Sequence, residues 1–465
     1  MCSYKEKPFL TPNDEGLMGA DDARSIQNAI DAASEAGVNK VVIPRYNKRT
    51  DSHMWSISAA IQIPSQMTII LDNCYMQLAE GYIGQMFTNS LSYAEEGTTL
   101  NGEQTNINII GKGLATIDGG LHNGLTERFC AKNPGPHRPW DNLLIYFHNV
   151  REFRVEGFRA INQRWWALCF LYCSYGKIAN IELGGTGDVP NQDGIDLRCG
   201  CHDITIENIT GKTGDDTVAL TALAGSMETA KKVVGCPPDI YNVIVRNIKS
   251  DCFQCCVVRL LNHDGIKLYN ILIDNIIDTS VPYSKKRPSC AVRIGEKGTY
   301  HKIRMVEPWE TTDITVRNVT TRARYGVCIN SSLTNAYIEN IQVHDDGQYA
   351  VGTSPNNGDI TTYMKNVMID GVFYNPDQKS RDGSAELEPS EYVGEVFNFE
   401  NCAGGDISIK NVFAEKTAHL MTVSGDIEMA IENASVGDLG GELVVKDDAA
   451  KITLKNVKVK GELQK

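Results

Sequence analysis

The chain has 465 residues, 42% of them apolar, and a formal net charge of −13 at pH 7. That acidic balance argues against a surface that attracts nucleic-acid phosphate or an anionic membrane, and no apolar run reaches the roughly 18 residues of a membrane span. The opening MCSYKEKPFL lacks the basic-then-apolar order of a signal peptide, and the 14 cysteines lie in apolar, strand-like contexts, so a reducing, cytoplasmic location is expected; removal of a leader would make it secreted or periplasmic instead.

Asp21 and Asp22 precede Ala23, Ile26, Ala29, Ile30 and Ala33, an apolar stripe at helical spacing. A helix from about Asp22 to Glu35 is predicted, ended by Gly37 and followed by a strand at Val41, Val42 and Ile43. Such a helix suits the open end of a coil of strands, whose edge would otherwise invite aggregation.

From residue 204 onward a seven-residue unit returns: ITIENIT from 204, VIVRNIK from 243, ILIDNII from 271, ITVRNVT from 314 and AYIENIQ from 336. It continues as VMIDGVF from 367, ISIKNVF from 407, MAIENAS from 429 and ITLKNVK from 452. The third place is always Ile, Val or Leu and the fourth always charged, so strand alternation turns the charge outward. The fifth place is Asn in every copy except at Gly371; both residues tolerate positive φ, so the fifth place is expected to bend the chain alike in each copy.

The shortest intervals between copies are 22 and 23 residues, room for three short strands. The predicted fold is therefore all-β, a single-stranded right-handed parallel β-helix with an N-terminal capping helix. Weaker matches at INIIGKG from 107, FRVEGFR from 153 and KIANIEL from 177 extend it upstream. One domain is expected over residues 1–465, with a cap region of about 1–40, rungs over about 41–465, and insertions near 222–238 and 278–312.

The stretch NQDGIDLRCGCHDITIENITGKTGDD carries Asp193 and Asp196 at its start and Asp215 and Asp216 at its end. Asp193 precedes Asp215 by 22 residues and Asp216 by 23, one turn of the coil. Aligning DGIDLR from 193, DTVALT from 216, CVVRLL from 256, CAVRIG from 290 and YGVCIN from 325 by their inward residues sets Asp193 over Asp216. It also places Arg259 and Arg293 in one outward column. Paired carboxyls beside a cation suit glycosidic cleavage, in which one acid donates to the leaving oxygen while another activates water. Asp196 is expected to be structural. A single Asp in such a turn is ordinary turn chemistry; four on adjacent rungs favour a site.

Lys285, Lys286, Arg287 and Trp309 fall in the second insertion, which is expected to leave the rungs on the acid side, like the first. The two insertions would then wall off one end of a groove and give exo action on an acidic glycan. Trp309 and Trp166 are candidates for stacking a sugar, and His263 for approaching from the following turn. Cys252 with Cys255, and Cys199 with Cys201, lack a second pair at zinc spacing, so neither metal nor cofactor is expected.

NQDGID resembles the Asn-Thr-Asp-Gly signature, and TGDD the Gly-Asp-Asp signature, of glycoside hydrolase family 28, the polygalacturonase-like β-helices. RWWALCFLYCSYGKIANIEL is similar to that family's Trp-containing rung, and AVRIGE to its Arg-Ile-Lys segment. The resemblance implies an inverting hydrolase that needs no metal, with Asp215 as general acid, Asp193 and Asp216 holding the attacking water, and Arg293 binding substrate. Two positions depart from the pattern: FQCC stands where the family has Gly-His-Gly, and Gly295 where it has Lys. Both missing groups belong to the substrate-facing side in the resemblance, and Arg259 is a candidate to compensate. The substrate is expected to be an acidic or pectin-related oligosaccharide. The alternatives are a polysaccharide lyase or epimerase on the same fold, and a carbohydrate-binding β-helix without catalysis.

Overall fold

The structure, a computed structural model, describes residues 4–296, 304–354 and 360–464. The chain packs as two compact units, Met1–Asp215 with Gly225–Asp239, and Asp216–Ala224 with Ile240–Lys465. Each is a right-handed parallel β-helix, the predicted class.

In the first unit the helix runs Asp22–Ala36. The Asp21 carboxylate accepts the Arg24 N–H at 2.7 Å, and Gly37 closes the helix at φ 72. Ile26, Ala29, Ile30 and Ala33 are buried against the first strands, and each buried isoleucine contributes about 1.5–3 kcal/mol. The strands Lys40–Pro44, Met67–Asp72, Gln104–Lys112, Val150–Glu156, Ser174–Gly184 and His202–Thr213 then stack in parallel. A second column holds Ile61–Ile63, Phe87–Asn89, Ile145–His148, Leu168–Leu171 and Ile195–Arg198. In the first-column strand Ser174–Gly184 the repeat frame begins at Gly176, which pairs with Phe153 and Ile204, one residue ahead of the frame read from KIANIEL. The Phe153 ring occupies the space a side chain would fill: a Cβ at Gly176 would lie 2.1 Å from Phe153 Cζ. The missing apolar residue hid the true start.

In the second unit the repeat strands Ile240–Cys252, Leu268–Asp278, Thr311–Thr321, Leu333–Asp345, Thr362–Pro376, Cys402–Thr417, Ile427–Leu439 and Lys451–Val459 pair in parallel order. The second column starts with Val218–Ala222, Cys256–Asn262, Cys290–Ile294, Tyr325–Ile329, Tyr349–Gly352 and Glu395–Phe399. Val218, Val258, Val292 and Val327 stack in register, the alignment read from the sequence within this unit.

The fifth place turns as expected: φ is 57 at Asn247, 59 at Asn275, 57 at Asn318, 54 at Asn340 and 73 at Gly371. The amides hydrogen-bond up the stack, Asn275 to Asn247 at 2.9 Å, Asn340 to Asn318 at 2.8 Å and Asn456 to Asn433 at 2.8 Å. Gly371 interrupts the ladder, and Asn411 donates to Asp370 instead, at 2.8 Å. A Cβ at Gly371 would meet nothing nearer than Asn340 N at 3.5 Å. Gly371→Asn should therefore stabilise the protein by about 0.5 kcal/mol and Gly371→Val destabilise it by about 1–2 kcal/mol, read from urea unfolding midpoints.

The two insertions differ in side from expectation. The first leaves from Ala222, the end of the strand Val218–Ala222 away from Asp216. What was read as the second is two loops, because the strand Cys290–Ile294 divides it. Lys285, Lys286 and Arg287 precede that strand, on the side of Asp216; Trp309 follows it at the opposite end, and residues 297–303 lie outside the described residues. The segment Gly225–Asp239 packs within the first unit, where His148 Nε2 bonds the Lys231 carbonyl at 2.8 Å and Val234 N–H bonds Thr98 O at 3.0 Å. Burial pushes the His148 imidazole down to about 4. A neutral folded imidazole binds fewer protons than the unfolded one, so this contribution is intact above about pH 6.5 and is lost as pH falls toward 4. Between pH 7.5 and 5, the loss of unfolding free energy should be smaller in His148→Gln than in the parent protein.

Candidate active site

The first unit seats two of the predicted acids together. Gln192 precedes Asp193, and its carbonyl accepts the N–H groups of Gly214 at 3.0 Å and Asp215 at 3.3 Å. The Gln192 amide donates to Gln163 O at 2.9 Å and its Oε1 accepts from Gly187 N at 2.8 Å, so this residue is clamped from both ends. A Cβ at Gly214 would fall 2.8 Å from Gln192 Cβ, which is why the turn reads Gly-Asp-Asp. Carboxylate oxygens of Asp193 and Asp215 lie within 4.8 Å of one another. Asp193 is 5% exposed and Asp215 half-buried, so one acid is sheltered and the other open to solvent. Beside them is a cavity of about 470 Å³ lined by Gln77, Glu80, Asn162, Gln163, Asp188 and Gln192 among others, polar and apolar side chains without an arginine or lysine.

Asp196 is buried and pairs with Arg198 at 3.6 Å; Arg198 also pairs with Glu228 at 2.5 Å and lies 4.5 Å above the Trp166 ring. Asp196 is thus structural, as expected. Trp166 is 9% exposed, with a face covered by that guanidinium, so the structure does not present it as a sugar platform. Trp165 is buried.

In the second unit Asp216 is 1% exposed. Its Oδ1 accepts the Cys256 N–H at 3.0 Å and its Oδ2 accepts from Arg259 at 3.2 Å. Arg259 and Arg293 are register partners, as the alignment predicted. Glu296 ties them, accepting from Arg259 at 3.2 Å and from Arg293 at 2.6 Å. Burial opposes the charge on Arg259, yet Asp216 and Glu296 hold its pKa well above the ordinary value.

Sequence reasoning passed over Glu296, and the signal was its neighbour. Gly295 has φ 79, and a Cβ there would lie 1.9 Å from Ser331 Oγ. A lysine does not fit, and the left-handed bend precedes the glutamate that meets the arginine pair. Cys255 and Cys256 place their sulfurs within 4.8 Å of an Asp216 oxygen, a set with the spacing of a metal site. Both Asp216 oxygens are already engaged, Arg259 stands beside them, and burial pushes the Cys256 thiol well above its usual value, so the set does not favour a cation.

His263 and Trp309 are not brought to Asp216. His263 is fully buried and follows the strand Cys256–Asn262, seven residues and roughly 23 Å beyond Cys256 at about 3.3 Å per residue. Trp309 is 52% exposed, on the turn before Thr311–Thr321.

Removing Glu296 leaves two half-buried guanidiniums short of a counter-charge. Glu296→Ala should cost about 1–3 kcal/mol. Adding Arg293→Met should recover part of it, measured as paired urea unfolding curves.

Residues 36–238 match the family described as Glycosyl hydrolases family 28. A probable rhamnogalacturonase C of Aspergillus flavus is 30% identical over 154 residues, covering 30% of this chain and 33% of that protein. Its counterpart in Aspergillus niger is 27% identical over 154 residues. The chain thus spans about a third of the length of the curated relatives it matches, 33% and 32%. Among solved structures, a tailspike protein of E. coli bacteriophage HK620 aligns with TM-score 0.60 at 13% identity, covering 96% of this chain and 80% of that one, a likeness of fold alone. A Yersinia enterocolitica family 28 exopolygalacturonase aligns with TM-score 0.43 at 15% identity, covering 98% of this chain and 79% of that one.

Proposed function

We propose that this chain, whose residues 36–238 belong to glycosyl hydrolases family 28, hydrolyses the glycosidic bonds of an acidic, pectin-related oligosaccharide. The observation that carries the reading is the Asp193 and Asp215 pair, seated by the clamped Gln192 with oxygens within 4.8 Å. Asp215, the more open of the two, donates its proton to the leaving oxygen. Asp193 activates the water that attacks the anomeric carbon, and Asp216, one repeat later in sequence, is the further acid that the resemblance assigns to that step. Arg259 and Arg293 orient the sugar. Cys74, Cys169, Cys173 and Cys201 are buried among apolar neighbours, which supports action in a reducing compartment on fragments small enough to enter it.

In the proposed reaction water adds to the anomeric carbon as the bond to the leaving oxygen breaks, the acid loses a proton to that oxygen, and the base takes one from water. Carboxyl separations of about 5–5.5 Å accompany double displacement and about 6.5–9.5 Å single displacement. The close Asp193 and Asp215 oxygens alone would suit the former; the resemblance to family 28 favours the latter, with an inverted product.

Asp215→Asn should abolish release of reducing sugar from pectic oligosaccharides, by about three orders of magnitude or more, while its unfolding midpoint stays at the parent value. Unchanged turnover would sink the assignment. NMR of the first-formed anomer should show inversion, and a product absorbing through a new C=C bond would mark a lyase instead.

A further inference from the structure

The second unit holds a cavity of about 420 Å³ that the acid site does not use, lined by Tyr283, Arg287, Arg324, Lys379 and Arg381 among others. Two loops build it. Tyr283 donates its hydroxyl proton to Asp377 at 2.7 Å, and Gly383 packs so closely on the Tyr283 ring that a Cβ there would meet it at 2.9 Å. The acids that line the cavity are already matched: Arg287 pairs with Asp346 and donates to the Arg322 and Asp346 carbonyls at 3.2 and 2.7 Å, and Arg322 pairs with Asp345 at 2.8 Å.

That leaves a surplus of positive charge. Arg324 is exposed, with its guanidinium 5.7 and 5.9 Å from the centres of the Tyr325 and Tyr349 rings, and among the described residues neither it nor Arg381 has a carboxylate within ion-pair distance. Lys379 reaches Asp377 at 3.4 Å and Glu386 at 3.6 Å, both across open surface where such pairs are weak. In a chain of net charge −13 this is a local reversal of sign.

Its position relates it to Asp216. Every wall residue precedes a strand of the second column, as Asp216 precedes Val218–Ala222. Backbone hydrogen bonds step along this edge: Thr217 N to Cys256 O at 3.1 Å, Ser289 N to Cys255 O at 2.8 Å, Tyr325 N to Ser289 O at 3.0 Å and Tyr349 N to Arg324 O at 2.9 Å. Arg324 is thus three rungs beyond Asp216, roughly 14 Å at about 4.8 Å per rung.

We infer that this pocket binds the carboxylate of a uronic-acid residue at the far end of an acidic oligosaccharide whose scissile bond lies at Asp216. The inference rests on the hydrolase reading and deepens it: the pocket makes recognition depend on chain length, engaging substrates that extend about three sugar residues past the acids. Arg324 and Arg381 supply charge-assisted hydrogen bonds, and Arg287 shapes the wall.

The test is calorimetric titration with linear galacturonate oligomers of two and five residues, and with the carboxyl-reduced pentamer, in an Asp215→Asn background that blocks turnover. Arg324→Ala with Arg381→Ala should weaken pentamer binding roughly tenfold or more, leave the dimer unchanged and leave the reduced pentamer unchanged. Arg324→Gln with Arg381→Gln, closer in size, should do the same, and unfolding midpoints at the parent value exclude a folding defect. Parent-like pentamer affinity in both double variants, an equal loss for dimer and pentamer, or no pentamer binding by the Asp215→Asn protein would each overturn the inference. Turnover surviving in Asp215→Asn alone would instead refute the hydrolase reading while leaving a length-dependent binding loss intact.

Discussion

A strand that must bend at the same point on every rung needs a residue that accepts positive φ there, and it needs that residue in register. The fifth place of the repeat meets this constraint with asparagine. Glycine would turn as easily, but only asparagine also carries an amide that can bond to the rung below. In the second unit, Asn275 bonds Asn247 and Asn340 bonds Asn318, while Asn318 and Asn411 bond the aspartates Asp274 and Asp370 one rung below, so most bends are tied to the neighbouring rung by a side chain that faces water. The apolar third and sixth places are thereby held inward: Ile273, Val316, Ile338 and Ile369 are fully buried in successive strands. The polar ladder and the apolar core are two faces of one periodicity, and a shift of one residue would invert both.

That periodicity is why the fold could be read from residues alone, and why the errors were local. A repeat copied nine times survives a substitution in any one copy. It fails where the copy is altered by packing, as at Gly176, whose side-chain space is filled from the preceding rung by Phe153. Loop side was harder to read, because it depends on which end of a strand the chain leaves. The five-residue strand Cys290–Ile294 carries its own alternation inside what looked like one insertion, and it separates Arg287 from Trp309.

The acids were legible because carboxylates at a repeat interval have few structural reasons to cluster. The groups that condition them were not. Gln192 acts through its backbone carbonyl, which any residue supplies, and its clamping depends on contacts with Gln163 and Gly187. Trp166 looked like a sugar platform because sequence says nothing of the Arg198 that lies over it. His263 looked able to approach from the following turn because sequence does not show that it is enclosed beyond the far end of the strand Cys256–Asn262.

Gly295, where the resemblance led a lysine to be expected, belongs to a rearranged charge network. A missing lysine would by itself leave the arginine pair as the local positive charge. Instead the left-handed glycine is followed by Glu296, which accepts from both Arg259 and Arg293, while Asp216 takes another donor of Arg259. Two guanidiniums are thus shared between two carboxylates, and the formal charge of the group sums to zero. Glu296 thus holds both guanidiniums, at 2.6 and 3.2 Å, and the charge beside Asp216 is balanced within the protein. The surplus of positive charge sits farther along the same edge, where Arg324 and Arg381 face solvent without, among the described residues, a carboxylate at ion-pair distance.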